Sequence, residues 1–150
     1  MPHSKKILIV EDEEILAENL LAHLQRCGWE ARIASTGRQA IATAGAFLPQ
    51  VILLDYHLPD IDGFQALAAI RHAHGAGDCI LMTGHSTDAV TGGARRHGIR
   101  HILSKPFSLA ELRASLAAVA GDLPSPAIPF SPAGERRRGE RRQGGERRRR

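Results

Sequence analysis

Cysteine and aromatic residues are scarce in this sequence. Of its 150 residues, two are cysteine and 4% are aromatic. Cys27 and Cys79 lie far apart, with no C-x-x-C pattern and no neighbouring histidines at metal-ligand spacing. This spacing argues against a disulfide framework or a zinc site. We interpret both cysteines as small apolar residues of a protein in a reducing compartment.

Long hydrophobic runs are also missing. A bilayer span needs about 20 consecutive apolar residues, and no run in the sequence approaches that length. The apolar run near the N-terminus is too short for the core of a signal peptide. Because 43% of the residues are hydrophobic, the chain can still bury a core. We therefore expect a soluble, cytoplasmic protein with one folded domain.

An excess of positive charge is confined to the C-terminal end. The net charge is +4, but residues 122–150 hold nine Arg against one Asp and three Glu, which leaves the preceding residues slightly acidic. This end is first rich in proline and then in arginine and glycine, so it cannot build a core. We predict a folded domain over residues 1–121 and a disordered tail over residues 122–150. Any anionic partner of the tail is expected to bind nonspecifically.

Short apolar runs of strand length recur along the first 121 residues. Most of them are continuously apolar, which is typical of strands covered on both faces. A mixed segment at residues 30–34 is a weaker candidate for an outer strand. The four stronger runs are residues 7–10, 51–54, 79–82 and 101–104.

Helix-length segments separate these runs. The first has a stripe of Leu16, Leu20, Leu24 and Cys27 at helical spacing. Residues that favour helix N-termini precede the other four segments. They are Ser35 or Thr36, Asp62, Ser86, and Ser108 with Glu111 in a capping box. Strand and helix therefore alternate five times, which predicts a doubly wound, flavodoxin-like α/β domain with a five-stranded parallel sheet.

Polar side chains follow four of the five predicted strands. Glu11 and Asp12 follow the first, Asp55 the third, Thr83 the fourth and Lys105 the fifth. The carboxyl ends of parallel strands form the ligand site of such a sheet, so we expect these residues to converge. Three carboxylates at one edge repel one another, and Mg²⁺ with its preference for oxygen ligands would relieve that repulsion.

The same residues suit the transfer of a phosphoryl group to Asp55. That reaction depends mainly on positioning and on neutralising charge over the phosphoryl oxygens. Lys105 offers a point charge for those oxygens, and Thr83 offers a hydroxyl donor. Pro106 indicates a constrained bond after the lysine, whose isomer the sequence leaves open.

Four motifs resemble the response regulator receiver domains of bacterial two-component signalling over about residues 5–120. They are Ile-Leu-Ile-Val-Glu-Asp-Glu, Leu-Leu-Asp-Tyr-His-Leu-Pro-Asp-Ile-Asp-Gly, Met-Thr-Gly and Ser-Lys-Pro-Phe. The resemblance implies that a histidine kinase or phosphotransfer protein phosphorylates Asp55 in a phosphorelay. It also implies a downstream effector protein as partner, and it leaves phosphorylation-dependent homodimerisation open.

The resemblance assigns roles to the individual site residues. It implies that Mg²⁺ is bound by Asp12, Asp55 and the backbone carbonyl of His57, with Glu11 in support. Thr83 becomes the switch hydroxyl and Lys105 the cation that contacts the phosphoryl group. These roles describe a signalling switch rather than an enzyme with metabolic turnover.

Two positions depart from the common receiver pattern. Ile102 stands where many receivers have Tyr or Phe. In those relatives the aromatic ring turns inward when the threonine moves, and this chain has no ring there to relay the signal in that way. Gly84 replaces a frequent alanine after Thr83 and is expected to loosen that loop. We expect the fourth helix and its preceding loop to carry the change instead.

Other interpretations apply to the remaining features. A transcriptional regulator whose basic tail contacts nucleic acid is the alternative function, while an enzyme with an aspartyl-phosphate intermediate is disfavoured because His57 occupies the usual acid/base position. We expect Asp60, Asp78 and Asp88 to be merely solvated. The histidines are expected at the surface, with His57 and His85 as candidates for lining the path of attacking water.

Overall fold

Five strands and five helices alternate along residues 5–75 and 77–120, the part of the chain that the computed structural model describes. The strands are β1 (Lys5–Val10), β2 (Trp29–Ala34), β3 (Val51–Asp55), β4 (Asp78–Thr83) and β5 (His101–Ser104). The helices are α1 (Glu14–Arg26), α2 (Gly37–Phe47), α3 (Gly63–His74), α4 (Asp88–Arg96) and α5 (Leu109–Ala120). The predicted fivefold alternation is confirmed, including the weaker candidate that became β2.

The sheet is parallel throughout, with strand order β2-β1-β3-β4-β5. The chain moves to one side of β1 to form β2 and to the other side to form the remaining strands. The strand order therefore reverses between β1 and β3, where a doubly wound sheet opens a crevice at its carboxyl edge. Glu11 and Asp55 lie at the ends of these two strands.

The helices cover the sheet on both faces, and each face has its own core. Alternate side chains of β1 point to opposite faces, as the pleat of a strand requires. We call the side covered by α1 and α5 the α1–α5 face. Its buried residues include Ile7, Ile9, Leu20, Leu24, Leu53, Leu112 and Leu116. We call the other side the α2–α4 face. Its buried residues include Leu8, Val10, Ala40, Ala44, Ala66, Leu67, Val90 and Ala94.

Side-chain caps fix the starts of four helices, and three agree with the sequence. Thr36 Oγ1 accepts a hydrogen bond from Gln39 N at 3.0 Å, which settles the choice between Ser35 and Thr36. Asp62 forms a capping box at α3. The predicted box of Ser108 and Glu111 is also present, with Glu111 N donating to Ser108 Oγ at 3.0 Å.

The expected cap of α4 at Ser86 is wrong. Thr87 has the extended backbone of an N-cap, and its Oγ1 accepts a hydrogen bond from Val90 N at 3.2 Å. A cap side chain reaches the amide three residues later. That amide must belong to the first turn of the helix, which places the cap one residue beyond Ser86.

Two surface expectations are corrected as well. His23 on α1 is buried rather than exposed. Cys27, expected to behave as an apolar residue, is exposed, whereas Cys79 is buried and its burial raises the thiol pKa to about 12.

The predicted tail and its boundary at residue 121 lie outside the described residues. No helix within residues 5–75 and 77–120 is long and apolar enough to cross a membrane.

Candidate functional site

The predicted site residues converge at the carboxyl edge of the sheet. Glu11 directly follows β1, Asp55 is the last residue of β3, and Thr83 is the last residue of β4. Lys105 directly follows β5, and its backbone N–H donates to the carbonyl of Thr83 at 2.8 Å. Parallel strands end at the same edge, so side chains far apart in sequence become neighbours there.

Three carboxylates form the centre of the site. Oxygen atoms of Glu11, Asp12 and Asp55 all lie within 4.8 Å of one another. Glu11 and Asp55 are only 1% and 4% exposed, whereas Asp12 faces solvent. Burial raises the pKa of Glu11, against the opposing effects of a hydrogen bond from Lys105 and one from the backbone of Glu13. The cluster therefore concentrates negative charge at a partly desolvated edge.

Lys105 provides the opposing positive charge. Its Nζ donates to Glu11 Oε1 at 2.7 Å and to Asp55 Oδ2 at 3.2 Å. Burial alone would lower the pKa of Lys105, but the hydrogen bond to Glu11 and the negative charge of Asp55 outweigh it and raise the pKa. The ammonium therefore stays charged between the two carboxylates. The Lys105–Pro106 peptide bond is cis.

Both oxygens of the Asp55 carboxylate have partners. Oδ1 accepts a hydrogen bond from the backbone N–H of His57 at 3.2 Å, and Oδ2 accepts one from Lys105. The start of α3 also packs closely on this residue, because a Cβ at Gly63 would lie 2.9 Å from the Asp55 carbonyl oxygen. These contacts fix the orientation of the carboxylate.

Thr83 lies at the site, but its hydroxyl is engaged in its own loop. The side chain is fully buried. Its Oγ1 donates to the carbonyl of His85 at 3.0 Å and accepts from the N–H of His85 at 3.1 Å. The side chains of His85 and His57 are exposed at the same edge.

The donor set fits Mg²⁺. The ion prefers oxygen ligands, uses one or two carboxylates and keeps several waters. Asp12 is exposed, so its carboxylate is accessible to a cation in solvent. Glu11, Asp12 and Asp55 together present oxygen atoms of the kind that such an ion would need.

Asp60 was expected to be merely solvated, and this expectation is wrong. Its two side-chain oxygens accept hydrogen bonds from Gly37 N at 2.8 Å and Arg38 N at 2.9 Å. These backbone donors, Arg38 before Gly37, lower the pKa of the carboxyl. Asp60 thus ties the loop after Asp55 to the N-terminus of α2. The partners lie more than 20 residues away, so no local spacing in the sequence could have indicated them.

The model of the response regulator receiver domain family matches residues 7–117. This chain belongs to that family. Receiver domains are signalling switches of two-component systems, and they bind Mg²⁺ at an acidic site.

Among its relatives, this receiver is 34% identical over 113 residues to the transcriptional regulatory protein TrcR of Mycobacterium tuberculosis. The match covers 74% of this chain but 43% of TrcR. The chain spans less than half the length of the first curated relatives it matches.

Two solved receiver structures have the same fold. The signal receiver domain of a LuxO repressor protein from Vibrio parahaemolyticus is 27% identical, with a TM-score of 0.74 over 79% of this chain and 92% of that one. The receiver domain of the sensor histidine kinase PA1611 from Pseudomonas aeruginosa PAO1 is 28% identical, with a TM-score of 0.71 over 80% of this chain and all of that one. The PA1611 domain has a magnesium ion coordinated in its active-site cleft.

Proposed function

We propose that this receiver accepts a phosphoryl group on Asp55 from a histidine kinase or phosphotransfer protein in a Mg²⁺-dependent reaction. It then signals through protein interactions that depend on phosphorylation. The observation that carries the proposal is the ion pairing of Lys105 with both Asp55 and Glu11 inside a cluster of three carboxylates.

The proposed transfer breaks one bond and forms another. An oxygen of Asp55 attacks the phosphorus of a phosphohistidine, forming an O–P bond as the P–N bond breaks. The electron pair of the broken bond returns to the imidazole nitrogen of the donor. Lys105, whose ammonium already contacts Asp55, is placed to neutralise charge on the phosphoryl oxygens.

Asp12, Asp55 and the backbone carbonyl of His57 would hold the Mg²⁺, with Glu11 in support. When bound, the ion supplies positive charge that offsets the carboxylates and the incoming phosphoryl oxygens. Lys105 and the His57 N–H would orient the Asp55 carboxylate throughout. The Thr83 hydroxyl would donate to the phosphoryl group after leaving the carbonyl of His85.

An exposed apolar side chain beside the site supports a protein donor. Ile15, three residues after Asp12, is 71% exposed on the first turn of α1. An apolar contact there would favour docking of a partner protein over a small-molecule donor. Ile15→Ala should slow transfer from a phosphorylated protein donor and leave the rate with acetyl phosphate unchanged. Equal slowing with both donors would contradict this role.

The test of the phosphoacceptor is intact-mass measurement after incubation with acetyl phosphate and Mg²⁺. The wild type should gain the mass of one phosphoryl group, and Asp55→Ala should gain none. Asp60→Ala is the matched control, because it removes a carboxylate from the same loop and should still be modified. An unmodified wild type, or a modified Asp55→Ala variant, would contradict the proposal.

The metal ligands can be tested without any phosphoryl donor. A ligand that binds only the native state raises the unfolding temperature as its concentration rises. Mg²⁺ should therefore raise the Tm of the wild type, and the rise should disappear in Asp12→Ala. An equal rise in both proteins would place the bound cation elsewhere.

We also propose that residues 1–121 form the receiver and that residues 122–150 are a separate tail. The family match ends at residue 117, and the last described helix ends at Ala120, which supports this division. A chain ending at residue 121 should be phosphorylated to the same extent as the full chain. Only the full chain should bind heparin, in a salt-sensitive manner; poor phosphorylation of the shorter chain would argue against the boundary.

A further inference from the structure

Three aromatic rings connect the phosphoacceptor loop to α4. Tyr56 directly follows Asp55, Phe64 lies in the first turn of α3, and His97 follows the last residue of α4. The ring of Tyr56 meets that of Phe64 edge-on, with centroids 5.1 Å apart. Phe64 in turn stacks on His97, with centroids 4.8 Å apart and ring planes within 5° of parallel. We call Tyr56, Phe64 and His97 the aromatic stack.

The stack is tightly fixed at its phosphoacceptor end. The Tyr56 N–H donates to the carbonyl of Met82 at 2.9 Å, and its carbonyl accepts from Gly63 N at 2.8 Å. A Cβ at Gly63 would lie only 3.0 Å from the Tyr56 Cα. Phe64 directly follows Gly63. Because the packing at Gly63 leaves little free space, a displacement of the backbone around Asp55 should also move the Phe64 ring.

At its other end, the stack packs closely on α4. A Cβ at Gly93 would lie 2.8 Å from Phe64 Cζ, so the ring rests directly on the helix backbone. His97 Nδ1 donates to the carbonyl of Gly93 at 2.8 Å. Arg71 of α3 donates to the carbonyl of His97 and, at 3.2 Å, to that of Gly77. Phe64 therefore touches both the middle and the end of α4.

α4 is poorly fixed by its own sequence. It has nine residues, and two adjacent glycines, Gly92 and Gly93, occupy its interior. Glycine is the weakest helix former after proline. Only Val90, Gly93 and Ala94 of the helix are buried. Its position consequently depends on contacts with neighbouring elements, and the aromatic stack supplies one of them.

We propose that the aromatic stack transmits the phosphorylation state of Asp55 to α4. Many receivers have a Tyr or Phe at the position of Ile102. In this chain Ile102 is partly buried against the core of the α2–α4 face and carries no ring. The stack gives this chain a second path, which lies on the α3 side of α4. The proposal rests on the proposed function, because it requires two states of Asp55. Its physical basis is that α4 is weakly held in place, so that contacts made near the site can shift its position.

The experiment is amide hydrogen exchange of the full chain with and without beryllofluoride and Mg²⁺, where beryllofluoride stands in for the phosphoryl group. In the wild type, exchange over residues 88–97 should change when beryllofluoride is added. Phe64→Leu keeps an apolar side chain but removes the ring, and it should lose most of this change. It should still gain a phosphoryl group from acetyl phosphate, because the substitution leaves the site carboxylates and Lys105 unchanged.

Two further variants separate stacking from general stability. His97→Ala should also lose the α4 response, and His97→Phe should restore it because a ring again lies over Phe64. Phe47→Leu is the matched control. Phe47 is buried at the end of α2, and its ring lies near the cationic groups of Lys6 and Arg32, outside the stack. This variant should respond like the wild type.

The outcomes distinguish the relay from the function on which it rests. A wild type that takes no phosphoryl group overturns both. A normal α4 response in both Phe64→Leu and His97→Ala overturns the relay and leaves phosphorylation intact. Loss of the response in Phe47→Leu overturns it too, because general destabilisation would then explain the effect. If Phe64→Leu fails to fold, the pair His97→Ala and His97→Phe decides the question.

Discussion

The two faces of the sheet are packed by different means. The α1–α5 face is filled by long side chains, which include those of Leu20, Leu24, Trp29, Leu112 and Leu116. The α2–α4 face buries five alanines, Ala34, Ala40, Ala44, Ala66 and Ala94. Helices with small residues can approach the sheet and one another more closely. The first face therefore depends on volume supplied by side chains, and the second on close approach of backbones.

This difference predicts opposite sensitivities on the two faces. Removing atoms from the α1–α5 face leaves a cavity, whereas adding atoms to the α2–α4 face creates an overlap. The glycines at close approaches all belong to the helices of the α2–α4 face; they are Gly37, Gly45, Gly63 and Gly93. That face also holds the aromatic stack. The part of the molecule proposed to respond to phosphorylation thus includes two of these close approaches, those at Gly63 and Gly93.

The largest expected effect is the loss of a long side chain from the α1–α5 face. Leu112 on α5 is fully buried, and Leu112→Ala should lower the free energy of unfolding by about 2–5 kcal/mol. Urea denaturation measures the change. Leu109→Ala on the same helix is the control, because Leu109 is 46% exposed and should change stability little. Equal losses for both variants would show that this face does not depend on buried volume.

The next effect comes from adding a single methyl group to the α2–α4 face. Gly93→Ala places a Cβ 2.8 Å from Phe64 Cζ, and overpacking of this kind costs about 1–3 kcal/mol. The same denaturation measurement applies. A Gly93→Ala variant as stable as the wild type would mean that Phe64 yields easily, which would weaken the contrast between the faces.

The neighbouring glycine should give a smaller change of the opposite sign. A Cβ at Gly92 would lie 3.5 Å from Arg96 Nη1, an ordinary contact with a flexible side chain. Gly92→Ala should therefore stabilise the protein by about 0.5–1 kcal/mol through helix propensity. Destabilisation by Gly92→Ala would show that the whole of α4, and not just its contact with Phe64, resists added volume.

The smallest effect concerns a polar group buried beside the α1–α5 face. Burial, and then the charges of Arg113 and Arg26, lower the pKa of His23 below its ordinary value of 6.5. The unfolded chain then binds a proton more readily than the native state, so stability should fall as the pH falls below that value.

The measurement is the free energy of unfolding between about pH 7.5 and about pH 5.5, a range in which histidine titrates. His23→Gln should flatten the decline. His101, whose pKa is also lowered chiefly by burial, is present in both proteins and should leave some slope. An identical slope in both proteins would show that His23 does not contribute.

The fold was predictable because its signals are local. Continuous apolar runs indicate buried parallel strands, and the cap at Ser108 with Glu111 depends on residues three apart. The position of the site was also predictable, because the carboxyl ends of parallel strands meet at one edge of the sheet. Glu11, Asp55, Thr83 and Lys105 could therefore be placed together without knowledge of any contact.

The features that the sequence did not reveal depend on backbone conformation or on distant partners. The choice of Thr87 over Ser86 follows from dihedral angles, because both residues can cap a helix. Asp60 bonds to residues more than 20 positions away. The burial of His23 is a tertiary effect, and one of the charges that lower its pKa belongs to Arg113, far along the chain. The aromatic stack joins rings from three separate elements, none of which is unusual in its own segment.

The hydrogen bonds of Thr83 have a consequence for how sharply the protein can switch. Its hydroxyl donates to the carbonyl of His85, so a bond to a phosphoryl oxygen would replace an existing bond instead of adding one. A hydrogen bond contributes about 0.5–1.5 kcal/mol net, and bonds to charged groups about 1.5–3 kcal/mol. The exchange therefore gains little free energy, and phosphorylation should shift the balance between two arrangements of the β4–α4 loop that coexist in solution.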